Sequence, residues 1–284
     1  MVEDGDPIGS LDDDSDKPEA GDFFRSASEK KKDEFISTGI NKLDNLLEGG
    51  APRGYSVLIL GTPGSSVEIL SKQIASTESS LYVSTEETRE EVEDTMDRFN
   101  WDNSSMDILD IATDYSKAVL SGEEKRVNVF HQRSKVKLKE LIEIGSSGMP
   151  NIQKGGQDFL AILSDRIKKA EDKQKIVINS LDFFLSQYSQ EEVLRTLHAA
   201  KISNVQNKNA LFIIMTKGIH GDVFERKMEG LADCVIELEV LQKGSKFERF
   251  LAVKKMKNYA KKIGIARYTI DSSGFVLEMI ERIM

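Results

Sequence analysis

The chain has 284 residues, 39% hydrophobic and 31% charged, which suits one large soluble α/β domain plus a tail. A net charge of −9 weighs against a general nucleic-acid binder. The lone cysteine, Cys234, excludes a disulfide framework and a cysteine-built zinc site, and no apolar run reaches the ~18 residues of a membrane span.

Residues 1–34 read as an acidic, disordered tail. Met1 to Asp22 is rich in Asp, Gly, Ser and Pro around Asp12-Asp13-Asp14, and Ser26 to Lys32 is polar and basic. Neither stretch buries enough apolar surface to offset chain entropy. No basic-then-apolar leader opens the chain, so a cytoplasmic location is the expectation. Folded sequence is expected over 35–284. Ser37 to Gly50 predicts a short amphipathic helix with a glycine stop, Ala51 to Gly54 a turn, and Tyr55 to Leu60 a buried strand.

That strand runs into Gly61-Thr62-Pro63-Gly64-Ser65-Ser66-Val67-Glu68 and then a helix through Ile74. The frame is that of a P-loop, G-x-x-x-x-G-K-[ST], whose backbone N–H groups cradle phosphate at a helix N-terminus. Gly61, Pro63 and Gly64 fit, but Ser66 stands for the second glycine, Val67 for the phosphate lysine and Glu68 for the magnesium Ser/Thr. A lysine–phosphate bond contributes ~1.5–3 kcal/mol, so its loss costs about ten- to a hundredfold in affinity. A carboxylate in a first helical turn is favourable by ~0.3–1 kcal/mol, so Glu68 is a candidate to fill the anion position from within. Lys72, one turn on, is expected to pair with Glu68; borrowing it as the phosphate lysine is the alternative.

Ser80 to Ser84 predicts a second strand, with a helix opening over Thr85 to Val92 and running to about Arg98. Met106 to Ile111 is a third strand. Residues 114–152 are poorly patterned, basic from Lys125 to Lys139, with a loop over Gly145–Gly156. Phe159 to Lys169 shows helical spacing at Phe159, Leu160, Leu163 and Ile167. Lys175 to Asp182 is a buried strand, Glu191 to Asn204 a helix, and Ala210 to Thr216 an all-apolar strand. Strands apolar on both faces, alternating with helices, predict a mainly parallel sheet covered on both sides. Three closing strands, Ala232 to Leu241, Arg249 to Met256, and Tyr268 to Ile270 continuing into Phe275 to Leu277, predict an antiparallel C-terminal edge.

Several of these stretches carry a family likeness in their order and spacing: Thr38-Gly39-Ile40, Leu43-Asp44, Gly49-Gly50, Pro52-Arg53-Gly54 and the P-loop. Tyr82 to Thr88, Trp101, Val177 to Leu181, Ala232-Asp233, Ile236 to Leu238 and Val253 to Lys257 continue it. The chain over about 36–280 resembles KaiC-like proteins of the RecA superfamily. The resemblance implies a RecA-like P-loop fold, ATP with magnesium as the family's ligands, and a homo-oligomer with nucleotide between subunits. It places Glu86 and Glu87 at the water-activating carboxylates, Asn179 at the acidic end of the Walker B strand, and Lys255 and Lys257 at a basic pair reaching a neighbour's phosphate. Asn179 lacks the acid, and a lysine replaces the family's arginine in the pair.

Each position also has a plainer role. Ser84 with Glu87 fits a capping box, Asp182 could substitute for Asn179, and Lys255 and Lys257 could be solvated strand-end charge. His131, His198 and His220 lack ligand spacing, so no metal site is expected. The expectation is a non-hydrolysing regulatory or scaffolding subunit with a degenerate nucleotide site and protein partners or its own copies, without a firm cofactor, membrane or nucleic-acid ligand. The alternatives are a slow ATPase with relocated ligands, and a recombinase-like DNA binder using Lys125–Lys139 and Lys254–Lys262.

Overall fold

The computed structural model describes residues 34–121, 157–258 and 264–279. The acidic tail before Glu34, the basic stretch Lys125–Lys139, the loop over Gly145–Gly156 and the end of the basic stretch Lys254–Lys262 after Asn258 lie outside the described residues.

In chain order, β1 (Phe35–Ile36), α1 (Asn41–Leu46) and β2 (Ala51–Pro52) form an opening unit in which β1 and β2 pair antiparallel. Then come β3 (Ser56–Gly61), α2 (Val67–Ala75), β4 (Ser80–Ser84), α3 (Arg89–Arg98) and β5 (Met106–Asp110). After a helical run over 111–121 come α4 (Phe159–Lys168), β6 (Lys175–Asn179), α5 (Leu181–Gln187), α6 (Gln190–Gln206), β7 (Ala210–Thr216) and α7 (Asp222–Leu231). The chain closes with β8 (Cys234–Lys243), β9 (Lys246–Met256), β10 (Gly264–Asp271) and β11 (Gly274–Met279).

One nine-stranded sheet runs in the order β11-β10-β9-β8-β3-β7-β6-β4-β5. The part from β8 to β5 is parallel, and β8 turns the sheet over by pairing parallel with β3 and antiparallel with β9. The two-residue side-chain period splits each apolar run between two cores. Val57, Ile59, Tyr82, Val177 and Phe212 meet α1, α2 and α3 on one face. Leu58, Leu60, Val83, Ile176, Ile178 and Ile213 meet α4 to α7 on the other. Each such side chain, fully buried, contributes ~1.5–3 kcal/mol, which is why these strands carry no polar face.

Two expected bounds change, and one helix is added. The strand expected over Lys175–Asp182 ends at Asn179, because Leu181, Phe184 and their neighbours start α5 and bury an aromatic pair against the second core. The last expected strand is two, β10 and β11, joined by a hairpin that pairs Asp271 with Gly274. The helix α7, anchored by Phe224 and Met228, was not read from the sequence. Because Gly61 pairs with Thr216 and Ser84 with Asn179, the ends of β3, β7, β4 and β6 lie along one edge of the sheet.

Candidate functional site

At that edge the turn between β3 and α2 keeps the backbone path of a phosphate cradle. A Cβ on Gly61 would stand 2.8 Å from Ser65 Oγ and 2.9 Å from Val67 Cβ, so the turn closes only on glycine. Ser66 sits at φ 58° and ψ 37°, the left-handed conformation that favours glycine, at a cost of about 1–2 kcal/mol for a non-glycine. Neighbouring strands strap the turn down. Thr62 N–H donates to Leu238 O at 3.0 Å, Tyr268 O–H to Ser65 O at 2.7 Å, and Arg249 Nε–H to Gly64 O at 3.4 Å.

The side chains do something else. Val67 packs its branched aliphatic group against the core shared by α1, α2 and α3. Glu68 is exposed, and among the described residues its carboxylate accepts no hydrogen bond and joins no ion pair, so it does not fill the loop's anion position. The expected Glu68–Lys72 pair is absent as well. Lys72 is 1% exposed, and its Nζ lies 2.7 Å from Glu87 Oε1 and 2.5 Å from Oε2. A buried ammonium gains most from a carboxylate in the same low-dielectric surroundings, and Glu68 stands in water.

Glu86 is exposed and accepts from Ser180 Oγ at 2.7 Å. The capping box expected from Ser84 and Glu87 belongs instead to Thr88 and Glu91, while Ser84 Oγ donates to the Glu87 carbonyl at 2.5 Å. Both candidate carboxylates are therefore free of helix capping. Asn179 is 5% exposed, and its Nδ2 donates to the Tyr82 hydroxyl at 2.8 Å, which lies 3.2 Å from Ser71 Oγ. Burial, with the Glu87 charge adding, holds the Tyr82 phenol above its usual range.

Asp182 does not stand in for Asn179. It accepts from Thr216 N–H at 3.0 Å and meets His220 Nε2 at 2.7 Å, tying the end of β7 to α5. The His220–Asp182 contact was not foreseen, since 38 residues separate the partners. Lys255 and Lys257 lie at the other end of the sheet, where Lys255 pairs across from Val235 near the start of β8. Lys255 Nζ donates to the carbonyls of Ala232 and Glu229 at 2.7 and 2.8 Å, closing the C-terminus of α7. Lys257 Nζ is 3.6 Å from Asp233 and Lys254 Nζ 2.8 Å from Glu237, so these lysines face carboxylates of their own chain.

A cavity of about 370 Å³ lined by Ser79, Ser105, Asp107, Arg166 and Gln174 lies at the amino end of β4, β5 and β6, away from the turn. Among the described residues no group of three or more His, Cys, Asp and Glu could hold a metal, and no helix is long and apolar enough to cross a membrane.

Against known proteins, the family model described as "ATPase: KaiC" matches residues 36–282. The chain is similar in structure to a KaiC-like protein from the hyperthermophilic archaeon Pyrococcus horikoshii OT3. That likeness has a TM-score of 0.60 at 18% identity and covers 86% of this chain and 98% of that one. It bears on the fold alone. No curated protein matches the chain.

Proposed function

This chain belongs to the KaiC ATPase family, and from that premise we propose that it keeps the family's fold without the reaction, working as a regulatory or scaffolding subunit. The observation that carries this reading is the Lys72–Glu87 pair. The buried cation nearest the loop is bonded to one of the two carboxylates that water activation would need. Phosphoryl transfer depends almost wholly on positioning and on charge stabilisation by lysine, magnesium and arginine-type groups.

The residues at hand do not suit magnesium-ATP. Val67 is aliphatic, Glu68 puts a carboxylate in the first turn, and Asn179 offers an amide already bonded to Tyr82. Losing the lysine alone removes about ten- to a hundredfold in phosphate affinity. No step through the nucleotide is therefore assigned. Glu68 and Glu86, with Gly61 to Val67 between strand and helix, remain as the outline of a nucleotide mouth. The subunit's work falls to surfaces that meet protein partners or its own copies in the cytoplasm.

Purified protein is expected to show no ATPase above background, and the triple change Ser66→Gly, Val67→Lys, Glu68→Thr to create ATP binding. Tight magnesium-ATP binding by the unaltered protein would refute the reading. One observation favours a second reading, a slow ATPase with moved ligands: Glu86 is exposed at the loop's edge and oriented by Ser180. That reading requires a measurable hydrolysis rate that Glu86→Gln abolishes.

A further inference from the structure

The two long strands β8 and β9 outrun the sheet that holds them. β3 pairs with Cys234 to Leu238 of β8, and β10 pairs with Phe250 to Val253 of β9. Beyond those positions the two strands pair only with each other among the described residues, as far as Lys243 opposite Lys246. Gly244, at φ 61°, and Ser245 close this ribbon in a tight two-residue turn. Two strands by themselves are marginal in water, so a free ribbon gains from a surface to lie on.

Its side chains suit such a contact. Leu241 to Phe247 are all exposed, and Phe247 keeps 70% of its area in water. Phe247 and Arg249 share one face of the ribbon, because side chains alternate along a strand, and Lys246 stands beside them at the tip. Lys246 and Arg249 join no ion pair among the described residues, whereas the ribbon's acids are taken, Glu239 by Lys217 and Glu248 by Lys243 and Arg267. The free charge on this arm is therefore positive and surrounds an exposed aromatic ring.

The complement is on α3, which carries five carboxylates and two arginines. Val92 and Met96 face the core, which turns Glu90, Asp94 and Asp97 outward at helical spacing. None of the three joins an ion pair among the described residues, and Arg89 is committed to Glu93 and the Ile108 carbonyl. We infer that the β8–β9 arm of one copy seats on the acidic face of α3 in a second copy, with Phe247 over the helix and Lys246 and Arg249 against its carboxylates. Arm and seat are different patches of one chain, so the contact is head to tail and repeats from copy to copy. It needs no nucleotide. Complementary charge sets the register and the approach rate, and burial of the ring holds the pair. The inference rests on the reading that this chain works through its surfaces, and it names the surface.

The test is sedimentation velocity of the full chain in nucleotide-free EDTA buffer over a concentration series. Reversible self-association is expected, and it should weaken as salt rises. Phe247→Ser and, separately, Lys246→Glu should each weaken it about tenfold. Asp94→Lys should do the same from the other side. The double variant Lys246→Glu with Asp94→Lys exchanges the two charges and should recover association toward that of the parent. These positions are exposed, so melting curves that match the parent are expected and separate lost contact from lost folding. A parent that stays monomeric overturns the inference, even where the arm captures some other protein. So does association that Phe247→Ser leaves unchanged, or a double variant no better than its singles. An ATPase assay with magnesium-ATP keeps the two ideas apart. Turnover there sinks the non-hydrolysing reading, whereas a monomer without turnover sinks only the contact.

Discussion

Asp233 and Lys175 stand at the amino end of the parallel strands, and Glu68, Glu87 and Arg249 at the carboxyl end. The first pair is fully bonded. Asp233 accepts from Ser56 N–H at 3.1 Å, Ser56 Oγ at 2.9 Å and Lys201 Nζ at 2.8 Å, bonds that outweigh its burial and keep its carboxyl below the usual range. Lys175 donates to Ile74 O at 3.0 Å and also to the Thr77 carbonyl and hydroxyl, closing the C-terminus of α2. At the carboxyl end Lys72 pairs with Glu87, Asp182 with His220 and Lys217 with Glu237 and Glu239, while Glu68 and Arg249 stand without ionic partners among the described residues. Charge thus holds the fold at both ends, and at the turn Glu68 and Arg249 are left without ionic partners among the described residues.

The sharpest way to break the comparison is Asp233→Ala. It removes the carboxylate that Lys201 and the two Ser56 donors share, leaving Lys201 only the Leu231 carbonyl, and should cost about 3 kcal/mol in urea unfolding, because Lys201 is partly hydrated. Lys72→Met should cost about 3 kcal/mol, toward the low end because Glu87 is 28% exposed and partly hydrated. Changing both Lys72→Met and Glu87→Leu should recover most of that loss, and a double-mutant cycle without coupling would show that the pair is incidental.

Lys175 gives a pH readout. Burial lowers its ammonium to about 8 from the ordinary 10.5. Between those values the unfolded chain binds the proton more tightly, so this group's contribution to stability rises as pH climbs from about 8 to 10.5. Melting of the parent relative to Lys175→Met should therefore improve across that window, and parallel curves would contradict the assignment. The smallest effect is expected from Ser66→Gly. It relieves the left-handed backbone at the cost of some unfolded-state entropy, for a net gain of about 1 kcal/mol. A loss there would mean that the serine hydroxyl contributes to the turn.

Much of the fold was legible in the sequence. The runs Val57 to Leu60, Ile176 to Ile178 and Leu211 to Met215 are apolar on both faces, and only a covered parallel sheet accommodates them. The P-loop frame was legible for a related reason, since Gly61 and Gly64 mark a turn whose geometry few other residues tolerate. Less legible were α5, whose apolar run Leu181 to Leu185 follows β6 directly and reads as its continuation, and α7, whose Phe224, Met228 and Leu231 stand at helical spacing over only two turns. The Glu68–Lys72 expectation failed because spacing along one helix says nothing of which side chain is covered. Arg249 was missed for the same kind of reason: 185 residues separate it from Gly64.

By itself, then, the sequence determined the strands, the helix–strand alternation, the family and the shape of the turn, because these depend on local period and on which residues fit a backbone. Only the tertiary structure decided the partners of the charges. It gave Lys72 to Glu87, Asp182 to His220 and Lys255 to the end of α7, and it brought Arg249 over the loop. Coulomb energy depends on distance and on exclusion of water, and both are set by which distant elements the sheet brings side by side.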